Sequence, residues 1–79
     1  HAFSWQHEAT PGAHVARAAL MYLSTQPDAG TCCPLTMTHA AVPTLRLQPA
    51  LASEWLPRLA GVDYDERLLP AARKSACTI

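Results

Sequence analysis

Histidines and cysteines are the side chains in this sequence that could bind a metal ion. The chain has four histidines and three cysteines. A zinc site needs ligands at spacings that aim two of them at one ion, such as CxxC or HExxH. No such spacing occurs, and His7 and His14 lie on either side of a helix start predicted near residues 10–12. The pattern therefore favours ordinary core and surface residues, and we predict no metal ligand.

Cys33 is the side chain that comes nearest to a catalytic nucleophile. It lies at the N-terminal end of a predicted helix, where the pKa of a thiol falls. A catalytic thiol also needs a base within hydrogen-bond reach and a third group that orients the base. His39 follows six residues later on the same predicted helix, and no carboxylate is near it in the sequence. The sequence therefore predicts a small buried thiol rather than a nucleophile.

Two other chemical patterns are weak. Asp63, Asp65 and Glu66 share a predicted turn with Arg67, an arrangement typical of a solvated helix cap rather than of an acid–base pair. The chain has only three glycines, and they are not clustered, so no phosphate-binding loop is present. We predict neither catalytic nor cofactor-binding residues within this sequence.

The central stretch, residues 31–47, is the most informative part of the chain. It reads TCCPLTMTHAAVPTLRL, with Arg46 as its one formal charge. We predict a helix capped by Thr31 or Cys33, with Pro34 at its first position. Spacings of i, i+3, i+4 and i+7 place four side chains on one face: Leu35, Thr38, His39 and Val42. That face is either a core surface whose polar groups are paired or the wall of a ligand cavity.

Prolines divide the sequence into helical segments. One helix is predicted over residues 11–26, with Thr10 as its cap, and is apolar on most of its circumference. Pro43 cannot donate to the carbonyl of His39, so the central helix should kink or end near Val42. Further segments follow at residues 49–60, where Gly61 suits the C-terminal cap, and at residues 65–69. The predicted fold class is all-α, a small bundle of about three to four helices.

Composition limits the classes of function. The net charge is zero, so nothing indicates a nucleic-acid surface, and the uncharged run at residues 31–45 is too short to span a membrane. An odd number of cysteines indicates reduced thiols in a cytoplasmic protein. Apolar residues make up 49% of the chain, which is more than so short a domain hides comfortably. We therefore expect a fragment of a larger protein.

Three segments of the chain resemble the AidB-type branch of the acyl-CoA dehydrogenase family: AHVARAALMYL, CPLTMTHAAVPTL and EWLPRLAGVDYDERLLPAARK. The resemblance implies that residues 1–75 are part of an N-terminal helical domain. It also implies that residues 76–79 begin the strand of a middle β-domain. FAD would lie at the junction of domains in the parent protein, and the flavin-binding motifs and catalytic carboxylate are not in this sequence.

The same resemblance implies the site and the partners. The helix that starts at Pro34 would form one wall of the acyl cavity, with Leu35, Thr38 and His39 as lining residues. The parent would oxidise an acyl thioester at its CH–CH group as a homotetramer, with a role in the response to DNA alkylation. Its partners would be an acyl-CoA-type ligand and the rest of its own chain, with no DNA or membrane bound through this segment. The alternative is a stand-alone helical module that binds a partner protein.

Overall fold

The protein is all-α, as predicted. A computed structural model describes residues 1–77, and that part of the chain contains no β-strand. Four α-helices are followed by a short 3₁₀ helix: α1 Ala2–Gln6, α2 Ala13–Thr25, α3 Cys32–Arg46, α4 Pro49–Leu59 and the 3₁₀ helix Ala71–Arg73.

Helix α2 begins two residues later than predicted. Gly12 precedes it with a φ of 84°, a left-handed conformation that ends the preceding turn before the helix starts. Thr10 therefore lies outside the helix, and its carbonyl accepts a hydrogen bond from Ala13 N at 3.2 Å instead of its side chain capping the helix. The prediction failed because it counted Pro11 as the first helical residue.

Helix α3 continues past Val42, so of the two predicted outcomes, a kink or an end near Val42, the end is wrong. It starts at Cys32, so Pro34 is its third residue rather than its first. Thr31 precedes it without a side-chain capping bond, and the helix continues through Pro43 to Arg46. The carbonyl of His39, which Pro43 cannot serve, accepts a hydrogen bond from Trp5 Nε1 at 3.1 Å. Because this donor replaces the missing backbone N–H, the helix can pass through the proline without leaving that carbonyl unpaired.

Helix α4 starts at Pro49, as predicted, and ends at Leu59, with Ala60 rather than Gly61 at its cap. The predicted helical turn at residues 65–69 is absent. The buried carboxylate of Asp65 accepts hydrogen bonds from Arg67 and from Ser75, ten residues away, at 2.7 to 3.2 Å. These bonds offer the backbone an alternative to helix formation and fix the segment as an ordered loop.

The small core lies where α1 and α3 meet the end of α4. Its buried residues come from the four α-helices and from the bend after the 3₁₀ helix: Ala2, Ser4, Ala13, Thr38, Val42, Leu59 and Ala76. Helix α2 contributes little to it, contrary to the prediction of a mostly buried helix. Its large apolar side chains are exposed, from 57% for Leu20 to 73% for Val15, because the described residues cover only one side of α2.

Two further findings concern the ends and the membrane prediction. No helix in residues 1–77 has the length and apolar character needed to cross a bilayer.

The strand predicted over residues 76–79 falls partly outside the described residues. Within them, Ala76 forms a bend, and Cys77 N donates to the carbonyl of Arg58 at 3.2 Å.

Candidate functional site

Trp5 of α1 is the residue that connects the first three helices. Its indole stacks on the imidazole of His39 in α3, with ring centroids 4.8 Å apart. His14 of α2 meets the same indole edge-on at 4.6 Å, and the guanidinium of Arg46 lies 5.0 Å from its centroid. Such contacts each contribute about 0.5–1.5 kcal/mol beyond the area that they bury. Trp5 therefore positions the part of α3 on which a cavity wall was predicted.

Arg46 is itself fixed by a carboxylate from the turn after α1. Its two terminal nitrogens donate to the carboxylate oxygens of Glu8 at 2.6 and 3.0 Å. This bidentate pair holds the pKa of Glu8 below its ordinary value. The ion pair is exposed to solvent, but it keeps the guanidinium of Arg46 over the Trp5 ring.

The three predicted lining residues occupy different surroundings. Thr38 is fully buried, and its hydroxyl donates to the carbonyl of Pro34 at 2.7 Å. Leu35 is half-buried and borders a small cavity of about 100 Å³ between α1, α2 and α3. His39 is half-buried against Trp5. The structure thus keeps the three on one helix but does not bring them together around a single pocket.

His39 carries unused hydrogen-bonding capacity. Its Nδ1 atom is buried and has no partner among the described residues. Burial lowers the pKa of His39, and the positive charges of Arg17, of His14 and of the terminal amine lower it further. These effects favour the neutral imidazole, and no negative charge is among the groups that shift the pKa of His39.

Arg17 of α2 is a second incompletely paired group beside this cluster. Its Nε and Nη2 atoms are buried without a hydrogen-bond partner in the described residues. The ion pairs found there use other arginines, namely Arg46, Arg58 and Arg67. An unpaired buried donor costs about 1–3 kcal/mol, and more when it is charged.

An apolar groove between α3 and α4 was not found from the sequence. Its volume is about 430 Å³, within the range of small-ligand sites. The residues that line it include Ala41, Thr44 and Leu45 of α3 together with Leu51 and Trp55 of α4. The signal was available, because helical spacing places Ala41 and Thr44 on one face of α3 and Leu51 and Trp55 on one face of α4.

The titratable and nucleophilic side chains outside these features do not form a recognisable centre. The three cysteines are free thiols, and Cys33 is exposed, which corrects the prediction of a buried thiol. Cys32 Sγ lies 3.2 Å from the hydroxyl of Thr25. In the described residues, no histidine or carboxylate forms a hydrogen bond with the thiol of Cys32 or of Cys33. In residues 1–77, no three or more histidine, cysteine, aspartate or glutamate side chains lie together in a way that could hold a metal ion.

The protein is thus a small all-α domain. The aromatic side chains around Trp5 position α3, and α3 borders both the small cavity and the apolar groove. Residues 1–66 match the family model described as the adaptive response protein AidB N-terminal domain. The chain belongs to this family. It is 42% identical over 80 residues to an Escherichia coli (strain K12) protein described as "Putative acyl-CoA dehydrogenase AidB". The alignment takes in the whole of this chain but 15% of that relative. No solved structure gives a significant match.

Proposed function

We propose that these residues are part of the N-terminal helical domain of an FAD-dependent acyl-CoA dehydrogenase-like protein. The observation that carries the proposal is the similarity across the whole chain to the Escherichia coli protein, supported by the family match over residues 1–66. In the parent, FAD would accept a hydride as an acyl thioester is oxidised at its CH–CH group. An acyl-CoA-type substrate, a homotetrameric assembly, a cytoplasmic location and a role in the alkylation response belong to the same proposal.

The described residues do not hold the flavin by themselves. They form no glycine-rich phosphate cradle, and the apolar groove between α3 and α4 offers about 430 Å³. Its lining is almost entirely aliphatic and aromatic, whereas a dinucleotide needs donors for its phosphates. We assign no cofactor-binding residue to this chain, and the groups that bind FAD would lie elsewhere in the parent.

The proposed contribution of this chain is one wall of the acyl cavity, formed by α3. Leu35, Thr38 and His39 stay the proposed lining residues, with His39 the most testable because it combines partial exposure with an unpaired Nδ1 atom. Thr38 is sealed by its neighbours, so its effect on a ligand would pass through the packing of α3. On another face of α3, Ala41, Thr44 and Leu45 line the apolar groove. The helix therefore borders a hollow on that side as well.

Substitution of His39 tests the lining role in the full-length protein. We expect His39→Leu to change the ratio of affinities for a short and a long acyl-CoA, because it replaces a polar surface of the cavity by an apolar one. Leu45→Ala is a control on the other side of α3. A large fall in melting temperature with an unchanged affinity ratio would show that His39 is a core residue and remove it from the proposed lining.

The alternative is a stand-alone module that binds a partner through its helices. The exposed apolar side chains of α2 are the observation in its favour. The two proposals differ in one simple property: the parent flavoprotein should be yellow as purified, with about one flavin for each chain. A colourless full-length protein that captures a partner through α2 would favour the module.

A further inference from the structure

The most unusual side chain outside the proposed cavity wall is Arg17, because its charged head is turned inward on a helix whose outer face is apolar. Helix α2 exposes Val15, Tyr22 and Leu23 by 63 to 73%. Arg17 is less exposed than any of these residues, and its Nε and Nη2 atoms are buried. A helix that packed only against the described residues should be turned the other way, with its apolar side chains inside.

The two unpaired atoms of Arg17 belong to one edge of the guanidinium. Nε–H and Nη2–H point in parallel from that edge and match the two oxygens of a carboxylate, the bidentate geometry that arginine forms most readily. No carboxylate among residues 1–77 makes an ion pair with Arg17. Glu8, Glu54 and Asp65 are already paired with other arginines.

The surroundings of Arg17 are short of negative charge. His39 has its pKa lowered by Arg17 and His14, and its Nδ1 atom is a further unpaired polar group. Buried charges in native proteins are paired, since an isolated one is costly. A partner for the buried edge of Arg17 would therefore lie outside the described residues, and a negatively charged acceptor suits the guanidinium best.

The size of the adjoining cavity indicates what kind of anion would fit. Arg17 and Ser24 contribute polar groups to its wall, and its volume is about 100 Å³. Sites for cofactors and drug-sized ligands begin near roughly 300 Å³, so a nucleotide or a flavin would not fit. A single carboxylate side chain would, and the apolar residues of the rim, Phe3, Leu20 and Leu35, suit a protein surface around it.

We infer that Arg17 receives an aspartate or glutamate side chain from a segment of the parent polypeptide outside residues 1–79, which docks over the cleft between α1, α2 and α3. This inference rests on the proposed function, because it assigns the occupant to the parent chain. The alignment takes in 15% of the Escherichia coli relative. A parent of similar length would therefore have most of its residues outside this chain, which is ample to supply such a segment. The same docking would cover the half-exposed Phe3 and Leu20.

A zero-length cross-link in the full-length protein tests the inference. Arg17→Lys places a primary amine where the guanidinium was, and a carbodiimide joins an amine to a carboxylate only when the two are in contact. We expect a peptide from α2 cross-linked to an acidic residue outside residues 1–79 of the same chain. The matched control is Arg46→Lys, which should cross-link to Glu8, its partner at 2.6 Å.

Each other outcome overturns the inference. No cross-link from Arg17→Lys while Arg46→Lys reacts would mean that no carboxylate meets the residue. A cross-link between isotopically distinct copies would assign the site to a second subunit. If the Arg17→Lys protein does not fold, a crystal structure of the unmodified full-length protein decides the matter. A carboxylate oxygen from outside residues 1–79 within about 4 Å of Arg17 Nε or Nη2 supports the inference, and water or a buffer anion there contradicts it.

The flavin content of the same preparations separates this inference from the proposed function. A yellow protein that gives no cross-link would refute the docking of a carboxylate on Arg17 and leave the flavoprotein proposal standing. A colourless protein that cross-links as expected would refute the flavoprotein proposal and leave the docked carboxylate standing.

Discussion

The hydrogen bond from Trp5 to the carbonyl of His39 leads to the sharpest prediction about stability. Trp5→Phe keeps an aromatic ring against His39 but removes the indole N–H that donates at 3.1 Å. Because Pro43 has no N–H, the carbonyl is then left without its donor. The expected cost is about 1–2 kcal/mol in the local stability of α3.

Hydrogen exchange followed by mass spectrometry in the full-length protein can measure this cost. A loss of about 1–2 kcal/mol corresponds to roughly 5- to 30-fold faster exchange of the α3 amides that open with this turn. Trp55→Phe is the matched control, because Trp55 makes no hydrogen bond in the described residues and contacts Arg58 instead. It should leave exchange near Pro43 unchanged.

A double-mutant cycle isolates the hydrogen bond from the packing. Pro43→Ala restores a backbone N–H for the carbonyl of His39, so Trp5→Phe should cost about 1 kcal/mol less in that background. An equal effect of Trp5→Phe in the two backgrounds would refute the reasoning. Helix α3 would then tolerate Pro43 for some reason other than the indole donor.

Three further predictions concern pH, the loop after α4 and the isolated chain. The folded pKa of His39 is lowered from its ordinary value of 6.5, so the unfolded state binds more protons. The contribution of His39 to stability should therefore be fully present above about pH 6.5 and be lost as the pH falls further. His39→Phe should reduce the fall in melting temperature at low pH, and an unchanged dependence of melting temperature on pH would contradict the lowered pKa of His39. Asp65→Asn should speed hydrogen exchange over residues 65–75 because it weakens five hydrogen bonds, whereas Asp63→Asn should not. The isolated 79-residue chain should unfold gradually, given the exposed apolar side chains of α2, and a sharp thermal transition would refute this. It should also retain no FAD, because the sequence has no phosphate-binding loop, and flavin that stays bound through gel filtration would refute that.

Local sequence rules predicted much of this fold, and they failed where a distant side chain intervenes. The all-α class and the start of α4 at Pro49 follow from helix propensity and proline position. The continuation of α3 through Pro43 depends on Trp5, which is 34 residues from His39 in the sequence. No local pattern indicates that an indole will reach that carbonyl, so the predicted alternative that the helix ends near Val42 was wrong.

The loop after α4 failed as a prediction for a related reason. Residues 65–69 have enough helix formers for a turn, but Asp65 binds Arg67 and Ser75 with its carboxylate instead. The Ser75 contact depends on the return of the chain past the 3₁₀ helix, which local propensity does not describe. The start of α2 was misplaced for a local reason, since Gly12 at a φ of 84° overrides the cap expected from Thr10.

The candidate site was predictable only in part. Helical spacing correctly predicted that Leu35, Thr38 and His39 lie on a helix, but it could not show that each has different neighbours. The unpaired edge of Arg17 was not predicted, because local sequence does not distinguish a buried guanidinium from an exposed one. That edge becomes visible only when the ion pairs of the other arginines are known.

The central proposal is that this chain is part of an acyl-CoA-binding flavoprotein and that α3 faces the ligand. The most direct measurement is the structure of the full-length protein purified with its own flavin and soaked with an acyl-CoA thioester. The account predicts bound FAD and an acyl chain in van der Waals contact with α3, including His39. A full-length protein without flavin, or an acyl chain that lies away from every residue of α3, would contradict it.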